Sequence, residues 1–195
     1  MLLSSGSMFL LTEPDGKKIE ALLQSQAGKP FSYVEVGASR CSSPSGYNVD
    51  HNRVLLGHGR ETFSKTISAV NDWKMFDLGW IGLNPPRPAV KPGEVVAVLV
   101  RHLGFWSINI SRIVYTIQET ERYGFAYGTL PCHAERGEES FMVEYDSQTD
   151  EVWYDLYAFS KPGHLLARLG YAFNRQLQKR FARESHKAMK DAVRK

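Results

Sequence analysis

His133, Glu135, Glu138 and Glu139 fall in one short stretch, Tyr127 to Glu139, which also holds Pro131, Cys132 and Gly137. An imidazole and carboxylates this close together can pass protons or hold a cation. His133 and Glu138 are the candidate acid and base if the chain is an enzyme. A polar hairpin between two strands would carry the same residues with no chemistry attached. The spacing does not match a metal signature: His133 to Glu138 is not H-E-x-x-H, and Cys41 and Cys132 make no C-x-x-C pair. His51, His58, His102, His164 and His186 are scattered, none paired at helical metal spacing. The chain has no G-x-S-x-G elbow, no P-loop and no G-x-G-x-x-G fingerprint. Gly57-His58-Gly59-Arg60 is too short and too polar to cradle a phosphate. No metal and no cofactor are expected, and no nucleophile stands out.

Two strand-like segments carry further candidates. Between Phe105 and Gln118, Trp106, Ile108 and Ile110 share one parity, while Ile113, Tyr115 and Ile117 share the other, with Arg112 at the slip. Either a β-bulge bends the strand there, or Arg112 keeps its register and points inward with Trp106 and Ile110. An inward guanidinium would need an anionic or carbonyl partner. Tyr123 to Leu130 has a large face, Tyr123, Phe125, Tyr127 and Thr129, and a small one, Gly124, Ala126 and Gly128. Small residues on one face permit close approach by a helix or by a ligand.

The elements that position these residues follow from periodicity. Thr12 to Gly28 reads as a short helix with a box-like start and Gly28 at its end. Phe31 to Val36 alternates as a strand, Gly37 to Gly46 is a loop, and His51 to Leu56 is a strand. Phe63, Ile67, Val70 and Trp73 make one face of a helix over Arg60 to Lys74. Four prolines make Asn84 to Gly93 a stiff linker or lid. Five strands follow, Glu94–His102, Phe105–Glu119, Tyr123–Leu130, Glu139–Asp146 and Glu151–Phe159, joined by short turns. A last helix runs from about Gly163 to Val193, roughly 45 Å at 1.5 Å per residue. Leu166, Leu169, Phe173, Leu177, Phe181, Ala188 and Ala192 form its apolar stripe.

A chain of 195 residues with 43% hydrophobic and 23% charged side chains is sized and composed for one folded domain. The longest apolar run, Val95 to Val100, is far short of the roughly 20 residues of a membrane helix. Met1 to Leu11 lacks the basic start of a secretion signal and reads as a leading arm, so reduced cysteines and a cytoplasmic setting are the default. The net charge of +3 is uneven, with nine Lys or Arg against two Asp or Glu from Arg168 to Lys195. That suits either a solvated helix face or an anionic partner such as a membrane surface. Few aromatics interleave the basic residues, so no nucleic acid is expected.

Taken together, several stretches resemble the family called domain of unknown function nineteen-ninety, over about Phe31 to Met189. They include Leu56-Gly57-His58-Gly59, Gly79-Trp80, Asn109-Ile110-Ser111-Arg112-Ile113-Val114-Tyr115, Phe125-Ala126-Tyr127-Gly128-Thr129-Leu130-Pro131 with His133, Gly137-Glu138-Glu139 and Ala158-Phe159-Ser160-Lys161-Pro162. Cys132 stands where the pattern has glycine and Lys161 where it has arginine. That family looks like a distant member of the helix-grip superfamily, with the START lipid-transfer domains and the pollen-allergen-like proteins. The resemblance implies an α+β helix-grip fold: about seven antiparallel strands curved around a long C-terminal helix, with a cavity between them.

On this view residues 1–28 are an arm and a short helix, and residues 29–195 are one helix-grip domain. The first expected function is binding of an apolar or amphipathic small molecule, such as a lipid, isoprenoid or aromatic metabolite. Trp80, Trp106, Tyr127, His133 and Phe141 would line its cavity, and Arg112 with Tyr127 would fix its polar end. The alternatives are a hydrolase, cyclase or isomerase using His133 and Glu138, and a module docking on a membrane or protein through its basic helix. A plant source would add a plastid surface to the possible settings.

Overall fold

A computed structural model of the chain describes residues 8–41, 44–163 and 171–194. Seven strands form one antiparallel path: β2 (Asn48–His58), β8 (Glu151–Pro162), β7 (Glu135–Asp146), β6 (Arg122–Thr129), β5 (Phe105–Gln118), β4 (Val95–His102) and β3 (Ile81–Asn84). Off this path, the arm's β1 (Met8–Leu10) pairs with Trp106 to Ile108 of β5. The helices are α1 (Gly16–Ala27), α2 (Gly59–Asn71) and α3 (Tyr171–Val193). The sheet curves around α3 as the helix-grip reading requires. The expected start of that helix, with Leu166 and Leu169, lies outside the described residues, as does the side chain of Phe173.

Both faces of the sheet are covered. The inner face packs on α2 and α3 through Phe63, Val70, Trp73, Phe76, Phe181 and Met189, against Phe125, Phe141 and Tyr154 from the strands. These rings pack edge-on and tilted, with the Phe76 centroid 5.3 Å from Phe141 and 5.1 Å from Phe181. The outer face of β4 and β5 packs on α1 through Ile19, Ala97, Leu99, Ile108, Ile110 and Leu130. Strands buried on both sides lose the simple alternation of a half-exposed sheet.

A bulge in β5 settles the slip seen in the sequence. Ile113 pairs with Tyr127 and Tyr115 with Ala126, so Val114 is the extra residue. Before the bulge, the odd positions Ser107, Asn109 and Ile113 face inward, and Trp106, Ile108 and Ile110 face α1. After it, Tyr115 turns outward, where its hydroxyl lies 2.7 Å from Ser39 Oγ. The bulge thus falls two residues beyond Arg112, and Arg112 keeps the register of Ile110, but that register points outward.

Phe31 to Val36, expected as a strand, instead crosses the outer face without joining the sheet. Ser32 ties it to β6: Ser32 N donates to Thr129 O at 2.9 Å, and the two side-chain hydroxyls sit 2.6 Å apart. Tyr33 lies on Gly128 so closely that a Cβ there would come 2.1 Å from its hydroxyl. The small face of β6 therefore admits the chain's own N-terminal segment. The proline-rich 84–93 segment runs beside the core, where Pro88 O accepts from the Trp73 indole at 2.8 Å. Trp73, two residues past the end of α2, lies in the left-handed region, with φ 55°.

Candidate functional site

Between the inner face and α3 lies a cavity of about 470 Å³. Phe76, Trp80, Val98, Leu156, Leu177 and Phe181 give it apolar walls. Its polar end is built by β7 and its neighbours. Glu139 stands directly across from Tyr127 on β6, whose hydroxyl donates to Glu139 Oε2 at 2.6 Å. Desolvation pushes the Glu139 carboxyl up to about 7, against the opposing pull of that hydrogen bond. Burial also holds the Tyr127 phenol well above its ordinary range.

Glu135 is tied to α3. Gln178 Nε2 donates to Glu135 Oε2 at 2.7 Å, and Gln178 Oε1 accepts from Arg175 at 2.7 Å. Arg175 in turn makes a two-pronged ion pair with Asp50 of β2, one prong of it 2.7 Å. Desolvation raises the Glu135 carboxyl, while Gln178, Ser160 and Arg175 pull it back. His133 lies in the turn between β6 and β7, where its Nδ1 accepts from Glu135 N at 3.0 Å. Burial drives the imidazole down to about 4, so the ring is neutral near pH 7 and its proton sits on Nε2.

The candidates from the sequence divide. Trp80, Tyr127 and His133 line the cavity. Trp80 Nε1 donates to Glu184 Oε2 at 2.6 Å, and the Arg180 guanidinium covers its ring at 4.4 Å. Phe141 is wholly buried one layer behind, in contact with Phe76, Tyr127 and Phe181. Trp106 faces outward, opposite Leu10 of β1. Arg112, expected at the polar end, is also on the outer face. There Nη1 donates to Ala27 O at 3.0 Å and the guanidinium lies 4.3 Å from the Phe31 ring, closing the C-terminus of α1. Residues 84–93, expected as a rim or lid, are not among the residues that line the cavity.

Glu138, the expected acid or base, borders the cavity but sends its carboxylate to the outer side. It accepts from Tyr33 Oη at 2.6 Å, Gly37 N at 2.7 Å, Ser39 N at 3.1 Å and Ser39 Oγ. It is a clamp for the 33–39 segment. The reasoning from sequence passed over Glu139 and Glu135 as site residues, and missed Ser107, Asn109, Asp50 and Gln178. One signal was available: Ser107, Asn109 and Ser111 alternate with Trp106, Ile108 and Ile110, which marks a polar face on a strand with no exposed side.

Cys41 and Cys132 are both free, and burial pushes the Cys132 thiol up to about 11. Lys179, Arg183, Lys187 and Lys190 of α3, with Arg194 just past its end, border a second groove beside Asn52 and Val54 of β2. Among the described residues no helix is long and apolar enough to cross a membrane.

Comparison with known proteins places this geometry in a family. The chain is 30% identical over 207 residues to a UPF0548 protein of Dictyostelium discoideum, covering 95% of this chain and 96% of that one. It is 36% identical over 150 residues to a UPF0548 protein of Arabidopsis thaliana, covering 74% and 72%. Human STARD10 superposes with a TM-score of 0.48 at 11% identity, over 91% of this chain and 80% of that one. The family model described as "Domain of unknown function (DUF1990)" matches residues 32–188, and the chain belongs to that family.

Proposed function

We propose that this protein binds an apolar or amphipathic small molecule, such as a lipid, an isoprenoid or an aromatic metabolite, between its sheet and α3. The observation that carries the reading is the cavity itself. Its volume of about 470 Å³ is that of a small-molecule site, and its largely apolar walls carry a few polar groups such as Tyr127, Glu135 and Glu139.

The test is titration with N-phenyl-1-naphthylamine, an uncharged fluorescent probe of apolar sites. Saturable one-to-one binding is expected. Val98→Trp, which places an indole into the cavity from β4, is expected to weaken it at least roughly tenfold while leaving the unfolding transition cooperative. Absence of saturable binding, or binding that Val98→Trp leaves untouched, would reject the reading. Extraction of protein purified from its own host, followed by mass spectrometry, then identifies the natural occupant.

A second reading, acid–base catalysis in the same cavity, has one observation in its favour. Glu139 is poised near neutrality, 2.6 Å from a phenol, as a proton-transfer group requires. The enzyme reading therefore rests on Glu139 with His133, since the Glu138 carboxylate is engaged on the outer face.

A further inference from the structure

We infer that the occupant of this cavity carries a basic nitrogen, and that the Glu139 and Glu135 carboxyls receive it as an ammonium. The inference rests on the cavity reading above and deepens it. Three acidic side chains, Asp50, Glu135 and Glu139, line the same space. The guanidinium of Arg175 is spent on Asp50, by a two-pronged pair. Glu139 receives only the neutral Tyr127 phenol, whereas Glu135 receives the Gln178 amide and the Ser160 hydroxyl and feels the charge of Arg175. Among the described residues the site thus has acceptors and negative charge in excess, and no cation is bonded to Glu139.

The groups around Glu139 come from every side. Tyr127 faces it from β6, Tyr154 from β8, Asp50 from β2 and Glu135 from its own strand. His133 borders the same cavity from the β6–β7 turn and His102 from β4, and burial lowers both rings, so both are neutral near pH 7. α3 contributes Arg175, turned to Asp50, and Lys179, whose side chain is largely exposed. A carboxylate or phosphate head placed here would meet like charge, with the Arg175 guanidinium already engaged by Asp50. A hydroxyl would gain a hydrogen bond alone. An ammonium would gain both the hydrogen bond and the opposite charge, with Phe76, Tyr127 and Phe181 close by to face its positive substituents.

This differs from expectation for a pocket whose polar end was an arginine, which would choose an anionic head. It also predicts a pH signature. Glu139 loses its proton near pH 7, so an ammonium should bind better as pH rises through that range. An anionic head should do the reverse, and an alcohol should be nearly indifferent.

The experiment uses three probes of one chain length, decylamine, decanol and decanoate, each displacing N-phenyl-1-naphthylamine from the full-length protein at about pH 6 and about pH 8. Decylamine is expected to displace best at the higher pH, ahead of decanoate by roughly tenfold or more, and to weaken by up to about tenfold at the lower pH. Glu139→Gln keeps the acceptor for Tyr127 and removes the charge. It is expected to erase most of the amine preference and its pH dependence while N-phenyl-1-naphthylamine still binds. If decanoate displaces as well as decylamine, or if the preference survives Glu139→Gln and the double change with Glu135→Gln, the inference is overturned and the cavity reading stands. If the naphthylamine itself fails to bind, both are overturned.

Discussion

On β7 the carboxyls of Glu138 and Glu139 leave the strand on opposite faces, and their surroundings give them opposite tasks. Glu138 accepts from four donors of the 33–39 segment, whereas Glu139 faces the cavity with one phenol. Neighbouring glutamates can be told apart in sequence only by strand parity, and parity needs a register that the turn at Pro131 and Gly137 obscures. That is why the acidic stretch was legible and the acting residue was not. The titrations carry a prediction with a definite sign. Glu139 has a folded value near 7, above its ordinary 4.5, so its stabilising contribution is full below about pH 4.5 and is lost as pH rises through 7. His133 has a folded value near 4, below its ordinary 6.5, so its contribution is present above 6.5 and is lost as pH falls through 4. The two oppose each other over the same window. Glu139→Gln removes one of them. Urea unfolding should find this variant more stable than wild type at about pH 8, by up to about 3 kcal/mol, and that advantage should vanish at about pH 4. A difference that is constant with pH would remove the assigned shift.

At the scale of elements, periodicity located α1, α2 and the five strands from β4 to β8 within a few residues, because each had its own turn chemistry. The Asp146–Asp150 tip is an example, where Asp146 Oδ1 accepts from Gln148 N at 2.8 Å. What failed was the assignment of faces. On β5 the apolar parity was taken as inward because a sheet with one core has one apolar side. Here α1 makes a second core on the back, so Trp106, Ile108 and Ile110 belong to it and Ser107 and Asn109 are left facing the cavity. Phe31 to Val36 failed for a related reason, since its β-rich pattern is satisfied by lying across the small face of β6. Arg112 joins these two layers through Ala27 O and Phe31. Arg112→Ala should therefore cost about 1 kcal/mol in chemical unfolding, by loss of the helix-end contact and the ring stack, and should leave naphthylamine binding unchanged. Weakened probe binding at unchanged stability would return Arg112 to the site.

For the whole molecule, the run of antiparallel strands ending in one long helix was readable from the order of elements. The cavity was not, because a void leaves no pattern in a sequence; it came only with the family resemblance. α3 closes the cavity, and its polar ties to the sheet include the Asp50–Arg175 pair and the Gln178 bonds to Glu135 and Ser160. Arg175→Met should lower stability by about 1 kcal/mol, since the pair is partly exposed. It should also speed both hydrogen exchange in α3 and release of the probe, which stopped-flow fluorescence would time; unchanged release would show that exchange does not pass by this helix. The basic residues of α3 have a bearing of their own on how copies of the protein meet. Among the described residues β2 ends the sheet, and a strand at a sheet's edge invites pairing with another chain. Lys179, Arg183, Lys187, Lys190 and Arg194 stand beside Asn52 and Val54 of that strand. Two molecules approaching by this edge would each present the same row of cations, so the charge that looked like an invitation to a partner also guards the molecule against joining its own kind into fibres.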